Sequence, residues 1–320
     1  AQVPPAGRPA DAPATRLKRE IAPDAGSTNA PLLFCIGLHV EPLGARVSSL
    51  VPGGVQRLER RPVLPPQKGS GPPFLGKRPP PSYEIPFLFR RHVQDIRLLA
   101  AITEQHGGKL TVQAQTPFTR VAAESGESVL AELEGRGHEI ALHLHEDAHL
   151  GPNGGALSVE SWAAVMREEI DWLKKAGAKR VRYWSGGNLY PGVLEAAAQA
   201  GLQVMSDHKN PRRQATEEVL LGVHPWRPAG GPRENDVAAF ARHDPAGKIV
   251  YLPDGQFSRA DFAGMRRSEN LGGDAGYFDF LTEGLELSLR AARADRVNVF
   301  HITVHPGEFR GGPEAARPFA

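Results

Sequence analysis

The sequence predicts an α/β fold in which mainly parallel strands alternate with crossover helices, as a barrel or a doubly wound sheet. Three observations predict it. From residue 92 onward, helix-like and strand-like segments alternate, as parallel strands joined by crossovers demand. Several helical stretches stop at a glycine that leads directly into an apolar strand. The strands themselves are short and almost continuously apolar, the pattern of a sheet covered on both faces.

Taken in order, residues 1–30 carry Pro4, Pro5, Pro9, Pro13 and Pro23 among Ala, Gly and Asp, without apolar periodicity. Such a stretch cannot offset its own ordering entropy, so it is expected to be an extended or disordered arm. Leu32 to Val40 is the first core strand. Residues 51–82 hold Pro62, Pro65, Pro66, Pro72, Pro73 and Pro79-Pro80-Pro81, which remove backbone donors and favour polyproline geometry. They read as an insertion in a single domain spanning 31–320. Val93, Ile96, Leu99 and Ile102 recur at helical spacing up to Gly107-Gly108, and a strand follows from Leu110. A helix over 128–136 then leads through Gly137 to a strand over 138–143. A helix over 159–176 leads through Gly177 to a strand over 180–184, and a helix over 193–200 leads through Gly201 to one over 202–205. Strands over 249–252 and 297–304, with a helix over 278–294 between them, bring the count to about seven.

Composition removes several classes of function. The 320 residues are 40% hydrophobic and 23% charged, which excludes disorder along the whole length. Lys and Arg total 38 against 36 Asp and Glu, and they are scattered, so no basic face for nucleic acid is expected. The longest apolar runs fall well short of the roughly 20 residues a membrane span needs. Cys35 is the one cysteine, so a disulfide scaffold is excluded, and mid-strand it reads as a small core residue. No G-x-S-x-G elbow occurs, which argues against a serine hydrolase. The chain start, Ala-Gln-Val-Pro, suits either a processed exported protein, secreted or periplasmic, which is the expectation here, or a trimmed chain.

The chemistry concentrates in histidine. Four of the 12 histidines, His138, His143, His145 and His149, fall within twelve residues together with Glu139, Glu146 and Asp147. Residues 143 and 145 share a strand face, and four-residue spacings such as 145 to 149 allow a turn to fold back. Imidazoles and carboxylates can then converge on a borderline divalent cation, Zn first, with Ni, Co or Mn as alternatives. His138, at the strand start, reads as structural. Two more strand ends carry the same chemistry, His39-Val40-Glu41 and His301-Ile-Thr-Val-His305. In a parallel α/β fold the carboxyl ends share one face, so these groups should meet. Trp184, Tyr183 and Trp226 offer flat aromatic surfaces. Asp207-His208 lies at another strand end, and Asp254 reads as a turn former.

Gly137-His-Glu-Ile-Ala-Leu-His143 resembles the second motif of the polysaccharide deacetylases, the NodB-homology or carbohydrate esterase family 4 group. The resemblance implies a distorted (β/α)7 barrel and a metal-binding His at the strand end, with a second His four residues later. That register makes His143 the first ligand and puts Asp147 in the second place; an offset of two pairs His145 with His149 instead. Leu38-His39-Val40-Glu41 is similar to the first motif, so His39 falls where the family has its catalytic Asp and Glu41 where it has a metal carboxylate. Tyr183-Trp-Ser-Gly-Gly-Asn188 matches the glycines of the third motif without its Arg, for which Arg182 is a substitute. Val299 to His305 is similar to the last motif, with His305 the better match for the proton donor and His301 the second.

The implied activity is removal of acetyl groups from an N-acetylated polysaccharide or glycan by metal-activated water. Glu41, His143, His145 and His149 would bind the metal, His39 and His305 would carry protons, and Trp184, Asp207 and His208 would contact substrate. A non-catalytic carbohydrate-binding relative and a glycoside hydrolase using paired carboxylates are the alternatives.

Overall fold

The computed structural model describes residues 30–41, 83, 85–144, 157–186, 189–208, 217–254 and 273–306. The expected arm up to residue 29 and the Pro-rich stretch 51–82 lie outside them. Seven strands form one all-parallel sheet: β1 (Leu33–Val40), β2 (Leu110–Ala114), β3 (Glu139–His143), β4 (Tyr183–Ser185), β5 (Val204–Ser206), β6 (Val250–Tyr251) and β7 (Val299–Val304). Their order is β6-β5-β4-β3-β2-β1-β7, so only the last strand is out of sequence, returning to lie beside the first. The helices are α1 (Pro86–Gln105), α2 (Thr116–Ser125), α3 (Val129–Gly135), α4 (Val159–Lys175), α5 (Val193–Gln199), α6 (Val237–Phe240) and α7 (Gly273–Ala291).

Local chemistry sets the element boundaries. Proline stands in the first turn of both α1 and α2, where its missing N–H is no loss. Ser158 caps α4 by accepting a hydrogen bond from the Ser161 N–H at 3.2 Å, and Lys174 and Lys175 lie at the negative end of the helix. Gly177 then turns the chain at φ 103°, where a Cβ would stand 2.8 Å from the Ala131 Cβ. The structure departs from the sequence expectation in detail. Helix α2 was not anticipated, β4 starts at Tyr183 rather than Arg180, and β6 is only two residues long.

Strand alternation divides the sheet into two chemistries. On one face Leu38, Val40, Val112, Ile140, Leu142, Trp184 and Met205 pack beneath the helices with Ile96, Leu99, Leu133, Trp162 and Met166 in one buried cluster. The other face is polar: His39 is paired with Gln113, His143 with Ser185, and Ser185 with Ser206, while His301 and Thr303 alternate on β7. The Thr303 hydroxyl donates to the Asp207 carboxylate at 2.6 Å. In the strand order β5 and β7 are five spacings apart, about 24 Å in a flat sheet. The sheet is therefore curled into a barrel-like form with its polar face inside.

The seam between β6 and β7 is stitched by residues 223–226. Val299 N–H donates to the Val223 carbonyl at 2.7 Å, and Trp226 and Tyr251 exchange backbone hydrogen bonds of 3.3 and 2.8 Å. The connections into the amino ends of β2 to β5 are short. No helix among the described residues is long and apolar enough to cross a membrane.

Candidate active site

The inner face gathers imidazoles and carboxylates at the carboxyl ends of β1, β3, β5, β6 and β7. His39 is the penultimate residue of β1, and strand alternation sends Glu41 to the same side. His143 ends β3, and its Nδ1 lies 2.8 Å from the Ser185 hydroxyl. Its Nε2 faces Glu41 Oε2 at 3.4 Å, and His305 Nε2 faces the other Glu41 oxygen, also at 3.4 Å. Gln115 donates to Glu41 at 3.2 Å. His39 stacks on His143 with ring centroids 3.8 Å apart and meets His305 edge-on at 5.3 Å. Glu41 and His305 are about a quarter exposed while His39 and His143 are buried, so the first pair forms the mouth and the second lies just inside.

A second layer lies deeper. Asp207 follows β5 at φ 60°, a left-handed conformation that Asp tolerates better than most residues. That turn brings its carboxylate to the hydroxyls of Ser206 and Thr303, each at 2.6 Å. Asp207 also lies 3.4 Å from His39 Nε2 and 3.6 Å from His301 Nε2. Across the seam, Asp254 lies 3.3 Å from His301 Nδ1. Asp207, Asp254 and His301 each bring one donor atom within 4.8 Å of the others, and this group can hold a metal ion. Burial, followed by the adjacent His143, holds His39 well below the usual imidazole pKa despite the Asp207 carboxylate, so the ring is neutral.

The residues expected from sequence divide accordingly. His39, Glu41, His143, Asp207 and His305 come together. His145 and His149, with Glu146 and Asp147, lie outside the described residues. Trp184, expected to stack on sugar, is fully buried in the helix-facing layer, because its neighbours Tyr183 and Ser185 take the inner face. His208 is buried, its ring tilted against that of Phe240 with centroids 5.9 Å apart. Trp226 packs on Tyr251 and donates to the Phe240 carbonyl, a structural role. Arg182 does not replace the missing motif arginine: it lies with Arg180 beside Glu139 at the opposite, amino end of the strands. His138 is structural, its Nδ1 accepting the Leu110 N–H at 2.9 Å.

Three groups were missed or undervalued: Asp254, read as a turn former; Gln113; and Ser185. Residues 301, 303 and 305, all polar at period two within an apolar strand, carried the signal for an inner polar face.

No protein-family profile matches the chain, and no curated protein sequence matches it. Among solved structures, one of a proposed polysaccharide deacetylase from Mycobacterium smegmatis aligns with a TM-score of 0.50 at 14% identity, over 89% of this chain and 82% of that one. A 4-alpha-glucanotransferase from Thermococcus litoralis aligns with a TM-score of 0.44 at 12% identity, over 89% of this chain and 35% of the other. At such identity the first likeness shows a shared fold alone.

Proposed function

We propose that this protein is a metal-dependent hydrolase that removes acetyl groups from an N-acetylated polysaccharide or glycan. The observation that carries the reading is the mouth of the barrel, where Glu41 offers one oxygen to His143 and the other to His305 at 3.4 Å each, with His39 stacked behind. Donors about 3.4 Å apart match two ligands at ~2.0–2.1 Å in a tetrahedral shell, so Glu41 and His143 fit a divalent cation, Zn foremost. His145 and His149, or Asp147 in the other register of the motif, are its candidate further donors. The deeper triad fits an ion too, but each of its side chains is 4% exposed or less, which puts it out of reach of a polymer's acyl group. The partly exposed mouth is the place for the reaction.

A cation there supplies Lewis acidity toward the acyl oxygen and makes water more acidic. The chain's own groups handle the protons. The Asp207 carboxylate, 3.4 Å from His39 Nε2, favours the tautomer with its proton on that nitrogen, which leaves Nδ1 as the basic atom to take a proton from the attacking water. As the C–N bond breaks, His305 at the exposed rim donates a proton to the departing sugar amine, giving acetate and a free amine. Ser185 and Gln115 orient His143 and Glu41.

The test is acetate release from acetylated glycan oligomers, run alongside elemental analysis of the same preparations. His143→Ala should lose both ion and turnover, whereas His305→Ala should keep the ion and lose about 10²–10⁴-fold in kcat. Unchanged activity in both variants refutes the proposal.

A further inference from the structure

We propose that the protein binds a second divalent cation inside the barrel, on Asp207, Asp254 and His301, where it locks the seam between β6 and β7. This site lies beneath the mouth and shares Asp207 with the group that supports His39, but it does not depend on the activity proposed there. Three observations place it. The first is the donor set: two carboxylates and an imidazole, on three different strand ends, with one atom of each within 4.8 Å of the others. That combination suits Zn, Mn or Co, and two carboxylates balance a double positive charge in a place that water does not reach.

The second is position. Among the described residues no backbone ladder joins β6 to β7, and residues 223–226 close only the amino half of the gap, through Val299 and Tyr251. At the carboxyl half, side chains meet across the gap, Asp254 on one side and His301 on the other, 3.3 Å apart. An ion held by both, and by Asp207 beyond β5, ties three strands at the point where the sheet's own hydrogen bonds stop.

The third is an amide without a partner. Gln113 is fully buried, and among the described residues neither its Oε1 nor its Nε2 has a hydrogen-bond partner. Leaving an amide in that state costs stability unless something occupies the space beside it. Gly37 brings the amide close to the triad: a Cβ on Gly37 would stand 2.9 Å from Gln113 Oε1 and 3.2 Å from His301 Nε2, so both atoms close in over the glycine. Gln113 and His301 therefore meet over the same glycine, and the unpartnered amide oxygen is a hard donor on the His301 side of the triad.

The test uses the full chain, stripped with chelator and reloaded with Zn²⁺ or Mn²⁺, with bound ion counted by mass spectrometry and Tm followed in parallel. Wild type should take up two ions per chain, and both His143→Ala and Asp254→Asn should take up one. Chelation should lower the Tm of His143→Ala, which retains the inner ion, and leave that of Asp254→Asn almost unmoved. A chelated His143→Ala protein that takes up no ion overturns the proposal without any reliance on the folding of Asp254→Asn. A wild type with one ion, lost in His143→Ala, refutes the inner site and leaves the mouth assignment standing. One ion that is kept in His143→Ala and lost in Asp254→Asn does the reverse.

Discussion

Ser185 determines how His143 is used. Its hydroxyl occupies Nδ1 at 2.8 Å, so the ring presents Nε2 to Glu41. Ser185→Ala should weaken divalent-ion binding at the mouth by about 10–100-fold with an unaltered circular dichroism spectrum. Competition with a chromogenic chelator reads this directly, and unchanged affinity counts against Glu41 and His143 as ligands. At the far end of the barrel His138 carries a pH dependence of its own. Burial lowers its pKa below that of a free imidazole, and Nδ1 must stay unprotonated to accept the Leu110 N–H. The sign follows from linkage: as pH falls below about 6.5 the unfolded chain binds a proton that the folded one refuses, so stability drops. Glu104, held to a pKa of about 2 chiefly by its hydrogen bond from Arg136, stays ionised across that window. The fall in Tm between pH 7.5 and 5.5 should be smaller in His138→Asn, whose amide oxygen accepts the same N–H without titrating. Histidines at strand ends were legible from sequence because a polar residue closing an apolar run needs a reason. Asp254 was not, because Leu-Pro-Asp-Gly reads locally as a turn and its partner His301 lies across the seam.

Elements obey simpler rules, and most were legible. Gly107, Gly137, Gly177 and Gly201 each follow a helix with positive φ and precede a strand, which is why the repeating helix, glycine, strand unit stood out. Gly177→Ala tests that punctuation where it is tightest. It adds a left-handed cost of about 1–2 kcal/mol to a contact of 2.8 Å with Ala131, and urea denaturation should report a loss of at least that size. Helix α2 escaped notice because Thr116-Pro117 directly after a strand looks like a break, although proline in a first turn is also a start signal. The β4 boundary was misplaced because Arg180, Val181 and Arg182 alternate like a strand, whereas the ladder with β3 reaches only Trp184 and Ser185. Trp162, fully buried on α4 and stacked 5.3 Å from Tyr190, should cost about 3–5 kcal/mol on truncation to Ala, again measurable in urea.

At the scale of the molecule, curling is what creates the site. Asp207 and Thr303 are remote in the strand order and bonded in space, so contacts among β1, β3, β5 and β7 follow from closure rather than from any local pattern. That is why the sequence pointed to the face but not to the pairings. Closure itself can be tested at Val299, whose N–H turns away from β1 to reach Val223. Val299→Pro removes that donor and leaves a carbonyl without its partner, a loss of about 1–3 kcal/mol. The Tm should fall accordingly, and an unmoved Tm would mean that residues 223–226 do not hold the seam.

The placement of β7 also governs how the chain is made. Among the described strands β1 is the first to leave the ribosome and β7 the last, yet the two pair along six residues. Throughout synthesis β1 therefore carries one bare edge, with Leu33 and Phe34 beside it, until the final strand arrives to cover it. Chains that stop short of residue 299 retain that sticky edge, so production of this protein tolerates loss from its carboxyl end far less well than the sequential order of its other strands suggests.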